Sequence, residues 1–126
     1  MELNEIVEKA PGFIKHPDYE IEIKVVDHEI TALLQGQVIA KSDKALILNE
    51  SNHVPIVYFP REDVRMDLAI PSDKDTFCPF KGHASYWGFG TEANIAWSYE
   101  QPYEEMLQIK DYIAFYRDRL DKPLLP

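Results

Sequence analysis

Hydrophobic positions change period near residue 20 of this chain. Before that point Leu3, Ile6, Val7 and Ala10 recur at helical spacing and predict a short amphipathic helix over residues 2–10, stopped by Pro11-Gly12. From Ile21 the period drops to two. Apolar and charged residues alternate through Ile21-Glu22-Ile23-Lys24-Val25, the pattern of a half-buried strand. Short apolar runs follow at 30–34, 38–40 and 45–48, separated by Gly36 and by Ser42-Asp43-Lys44, which read as turns. Ile56-Val57-Tyr58-Phe59 is another β-rich run, bounded by Pro55 and Pro60. Pro60 to Val64 predicts a tight or single helical turn, and Pro71-Ser72-Asp73-Lys74-Asp75 a polar loop. Gly82 to Phe89 and Asn94 to Tyr99 predict the two strands of a hairpin. Glu104 to Lys110 predicts a helical turn, and Ile113 to Tyr116 is the last apolar run. Many short strands at close spacing predict a mainly β fold of antiparallel meanders and hairpins, with one or two short helices.

Length and charge narrow the function classes. A chain of 126 residues fits a single domain spanning 1–126, with residues 1–19 as an N-terminal extension. The formal net charge of −9 is spread along the chain and repels phosphate backbones, so nucleic acid is not an expected partner. One cysteine excludes an internal disulfide and a multi-cysteine zinc site, and no metal or cofactor is expected. The four histidines, His16, His28, His53 and His83, show no ligand spacing. The acidic N-terminus lacks a basic n-region and an apolar h-region, and no run is long enough to span a membrane. A soluble cytoplasmic protein is the expectation.

Chemistry concentrates in one stretch. Cys78-Pro79-Phe80-Lys81-Gly82-His83-Ala84-Ser85-Tyr86-Trp87 and the following Asn94 to Glu100 hold the only cysteine and both tryptophans. Cys78 has two readings. With Lys81 and His83 near it, the thiol is a candidate nucleophile or redox group; otherwise it is a small buried hydrophobe. Pro79 and Gly82 shape a turn that can aim the thiol inward. Strand alternation puts His83, Ser85 and Trp87 on one face and Ala84, Tyr86 and Gly88 on the other. A pocket built from one side combines Tyr86 or Trp87 with Trp97 or Tyr99, joined by Tyr58 from the earlier strand. Lys81 and Arg61 are the candidate anion-holding groups. The competing reading is plain core, since eight of the fifteen aromatic residues lie between Phe77 and Tyr103.

The runs Pro55 to Val64, Thr76 to Trp87, Ala96 to Tyr99 and Ala114 to Tyr116 resemble, in order and spacing, the family called domain of unknown function 427. The resemblance covers roughly residues 28 to 121, and Cys-Pro-x-Lys-Gly followed by Ala-x-Tyr is its most specific part. It implies a β-tent-like fold, two antiparallel sheets meeting at an angle, related in architecture to domains that bind small ligands in aromatic pockets. Related β-tent domains often carry a zinc held by cysteine pairs, which this chain lacks. The family also bears a nucleotidyltransferase-like label, but the chain has neither a phosphate-cradling glycine loop nor matching paired carboxylates. The leading expectation is a module binding a small molecule near Cys78 to Tyr99, through Tyr58, Arg61, Lys81, Tyr86, Trp87, Trp97 and Tyr99. The alternatives are an enzyme acting through Cys78 and Lys81, and a domain for protein–protein contact.

Overall fold

The computed structural model describes residues 7–125. Nine strands carry the described chain: β1 (Ile21–Val25), β2 (Ile30–Leu34), β3 (Gln37–Ser42), β4 (Leu46–Glu50), β5 (Ile56–Tyr58), β6 (Ile70–Cys78), β7 (Gly82–Phe89), β8 (Glu92–Ser98) and β9 (Ala114–Phe115). One α-helix, α1 (Pro11–Lys15), precedes them, and short 3-10 turns cover Arg61–Asp63, Met66–Leu68, Glu104–Ile109 and Arg117–Arg119. The fold is mainly β and its strand pairing antiparallel, as the alternation predicts. The strands divide into three sheets, in the orders β1-β4-β5, β2-β3 and β6-β7-β8-β9. A bridge between Phe59 and Ile113 links the end of β5 to the residue before β9.

Two local readings differ. The described helix, α1, begins only after the 2–10 span in which the apolar spacing predicts one. Val7 to Ala10 carry no helix, while Leu3 and Ile6 fall outside the described residues. Pro11 starts α1 rather than stopping one: at the first helical position its missing N–H removes a donor that has no intrahelical partner anyway. Residues 71–75 are also not a loop. They belong to β6, an edge strand whose pairing with β7 shifts between Pro71 and Asp75, which is how an edge tolerates a proline.

The four-stranded sheet separates two apolar clusters. One gathers Ile30, Ala32 and Leu34 of β2 with Ile39, Val57, Phe59, Phe89, Ile95 and Phe115. The other gathers Leu46 and Leu48 of β4 with Tyr58, Ala84, Tyr86, Tyr99, Met106 and Ile109. Period-two alternation splits neighbours such as Phe115, in the first cluster, and Ala114, in the second. This division positions the site described next.

Candidate functional site

The turn joining β6 to β7 brings a thiol and an ammonium together. Pro79 sits at the second turn position, where its fixed φ is favoured, and the Lys81 N–H donates to the Cys78 carbonyl at 3.2 Å. Gly82 follows at φ +113°, a conformation open to glycine, and a Cβ there would meet the Gln101 carbonyl at 3.3 Å. The Cys78 and Lys81 side chains thus rise side by side, with Nζ 3.9 Å from Sγ. Lys81 is buried, and its Nζ donates to Glu50 Oε1 at 2.8 Å, from the end of β4. Tyr19 donates to the other oxygen of the same carboxylate, Glu50 Oε2. Burial by itself would raise the Glu50 carboxyl, but the bonds from Lys81 and Tyr19 outweigh it and hold the group below the ordinary carboxylate range.

This ion pair lies at a cavity of about 310 Å³ lined by Leu48, Glu50, His53, Val54, Ile56, Tyr58, Cys78, Lys81, Tyr86, Trp97, Tyr99 and Tyr116. Register explains its aromatic wall. Tyr86 of β7 pairs directly with Trp97 of β8, so both rings leave the sheet on one face. Tyr58 accepts a hydrogen bond from the Trp97 indole, and Tyr86 bonds Thr76 Oγ1 at 2.9 Å and the Tyr116 hydroxyl. Burial pushes the phenols of Tyr58 and Tyr99 well above the ordinary tyrosine value. A second, more apolar cavity of about 360 Å³ lies under the C-terminal segment, between Val57, Phe115, Leu120 and Leu124. It is larger, but no buried charge lines it.

Of the residues singled out from sequence, Tyr58, Cys78, Lys81, Tyr86, Trp97 and Tyr99 come together here. Arg61 and Trp87 do not. Trp87 sits one position along from Tyr86 and so leaves the sheet on the other face, against the first apolar cluster. The Arg61 guanidinium lies 5.1 Å from its ring centroid and is held by Ser98 Oγ, Glu100 Oε2 and the Asp111 carbonyl at 3.2, 3.1 and 3.0 Å. It is therefore not available to join Lys81 in holding an anion. His83 is exposed on that opposite face of β7 and pairs with Asp75 at 3.0 Å, so it does not support the thiol. Sequence reasoning missed Glu50, Tyr19, His53 and Tyr116. Glu50 lies 31 residues from both of its side-chain partners, a separation that leaves no local pattern.

Among the described residues, no three His, Cys, Asp or Glu side chains gather as a metal would require. No described helix is long and apolar enough to cross a membrane. A search of curated proteins finds no match. A family model described as a domain of unknown function (DUF427), labelled as nucleotidyltransferase-like, matches residues 22–124. That span takes in every strand from β2 to β9 and the whole Cys-Pro-Phe-Lys-Gly turn, and the chain belongs to this family.

Proposed function

We propose that this protein binds a small molecule in the cavity walled by Tyr58, Tyr86, Trp97, Tyr99 and Tyr116, with the Lys81–Glu50 pair as its polar anchor. One observation carries the reading: rings from β5, β7, β8 and the segments after β8 and β9 converge on a nearly dry ion pair. Recognition sites are built this way, from apolar and aromatic walls with a few fixed polar groups. The cavity volume of about 310 Å³ suits a compact ligand of one or two rings. A nucleophilic role for Cys78 has less support. Its nearby cation is already neutralised by Glu50, and among the described residues no base is hydrogen-bonded to its sulfur. A cytoplasmic setting, where a lone thiol stays reduced, fits this reading.

The test uses the two tryptophans, which stand on opposite faces of one sheet. Trp87→Phe leaves Trp97 as the sole reporter, and Trp97→Phe leaves Trp87. Screened against a metabolite library, a true ligand changes the emission of the Trp97-only protein and leaves the Trp87-only protein silent. A library that moves neither reporter in folded protein, or moves Trp87 alone, refutes the proposal.

A further inference from the structure

Resting on that reading, we infer that the bound molecule presents a hydrogen-bond acceptor to Lys81, and that Tyr19, from outside the family match, enforces this choice by occupying the acceptor the cavity would otherwise offer.

The cavity's hydrogen-bonding capacity is lopsided. Glu50 is its one carboxylate, and both oxygens are engaged, Oε1 by Lys81 and Oε2 by Tyr19. Lys81 carries three donors and no acceptor. One goes to Glu50 at 2.8 Å and one faces the Cys78 sulfur at 3.9 Å, a weak partner, so donor capacity remains. Tyr58 already accepts from Trp97, which leaves its hydroxyl hydrogen to give. His53 can accept through a neutral ring, but it is exposed at the rim. The Tyr86, Tyr99 and Tyr116 hydroxyls can give or accept, so Lys81, which can only donate, sets the bias toward a ligand carbonyl or other oxygen acceptor over an amine.

Tyr19 reaches Glu50 because the N-terminal arm is fastened to the Cys78–Lys81 turn. The Gly12 N–H donates to the Pro79 carbonyl at 2.9 Å, and the Ala10 N–H to Glu105 Oε1 at 2.9 Å. Phe80 stacks on Tyr19 with centroids 4.1 Å apart and meets Phe13 edge-on at 4.9 Å. Tyr19 does not line the cavity, so it acts through Glu50 as a positioning residue. Removing its hydroxyl leaves Glu50 Oε2 without that donor and frees the carboxylate, which does line the cavity, to turn toward a ligand amine.

Single-ring carboxylates and carbonyl heterocycles, set against single-ring primary amines of matched size, provide the probes, read by the Trp97 indole N–H resonance of the full chain. Acceptor probes should bind wild type at least about tenfold more tightly than the amines, the worth of one charge-assisted hydrogen bond. Tyr19→Phe keeps the stack on Phe80 and should erase that margin. Its Glu50 carboxyl carbon should also titrate at higher pH than in wild type, which reports the lost bond, while the changed probe preference is the readout a purely structural role would not move. Amines binding wild type as tightly as acceptors, an unchanged preference in Tyr19→Phe, or an unmoved Glu50 titration overturns this inference and leaves small-molecule binding intact. Failure of both probe classes to bind overturns this inference and the binding reading together.

Discussion

Lys81 comes from the β6–β7 turn and Glu50 from the end of β4, yet their side chains are only 9% and 11% exposed and their charged atoms lie 2.8 Å apart. Withdrawing two charges from water costs several kcal/mol per ion, and mutual attraction offsets this only while both partners are present. Lys81→Met should therefore destabilise the fold by about 3 kcal/mol, because it strands a buried carboxylate. The double change Lys81→Met with Glu50→Leu should recover most of that loss, since it removes both desolvation costs. Denaturant midpoints of the two proteins decide the matter, and a double variant no more stable than the single one would count against the pairing.

The same carboxylate gives acid stability a direction. Its folded value is depressed, so its contribution is fully present above the unfolded value of about 4.3 and is lost as pH falls through the lower folded value. The stability gap between wild type and Glu50→Gln should be wide near neutrality and narrow steadily below about pH 4. Thermal scans across that window provide the check, with a pH-independent gap as the contrary result.

Alkaline titration probes the aromatic wall. Burial and the bond to Glu50 push Tyr19 up to about 12, and burial raises Tyr58, Tyr99 and Tyr116. A raised phenol contributes stability that is complete below the unfolded value of about 10 and is lost as pH rises above it. Phenolate absorbance should thus show four of the seven tyrosines failing to ionise at their ordinary value, then appearing together as the protein unfolds. Seven independent titrations near pH 10 would contradict the packing.

The fastening of the N-terminal arm depends on a missing side chain. A Cβ on Gly12 would lie 2.7 Å from the Phe80 ring. That ring is wedged between Phe13 and Tyr19 and has little room to yield. Gly12→Ala should cost about 1–3 kcal/mol as an overpacked site and loosen the arm. Faster tryptic cleavage after the exposed Lys15, with cleavage elsewhere unchanged, is the expected signature.

Arg61 supplies the counterpart. It ties the turn after β5 to Ser98, Glu100 and Asp111 on the side of the sheet away from the cavity. Arg61→Ala should cost about 1–2 kcal/mol, discounted for its partial exposure, and leave any Trp97 ligand response unchanged. A lost response in a folded variant would place Arg61 in the site after all.

How far these features were legible in the sequence follows from their range. Gly82–Phe89 announces itself by alternation because one face is buried and the other is not, and in Ile21–Val25 Ile21 and Ile23 are half-buried while Glu22 and Lys24 are exposed. The choice between Tyr86 and Trp87 needs register, which the hairpin sets and alternation alone leaves open. The edge strand β6 escaped because both its faces are largely exposed, so Ser72 to Asp75 look like a loop. Glu50 and Tyr19 escaped because an ion pair between distant residues has no period.

The family match begins at residue 22, whereas Tyr19 docks on Phe80 and closes the Glu50 carboxylate from before that point. The packing around the Cys78–Lys81 turn therefore reaches back past the start of the match, and the family pattern alone does not describe all of it. A protein cut to the matched span would keep the Lys81–Glu50 pair but lose the donor on Glu50 Oε2 and the ring stacked on Phe80. Such a truncation, starting at residue 22, should leave the strands in place and the Glu50 carboxylate more open to solvent.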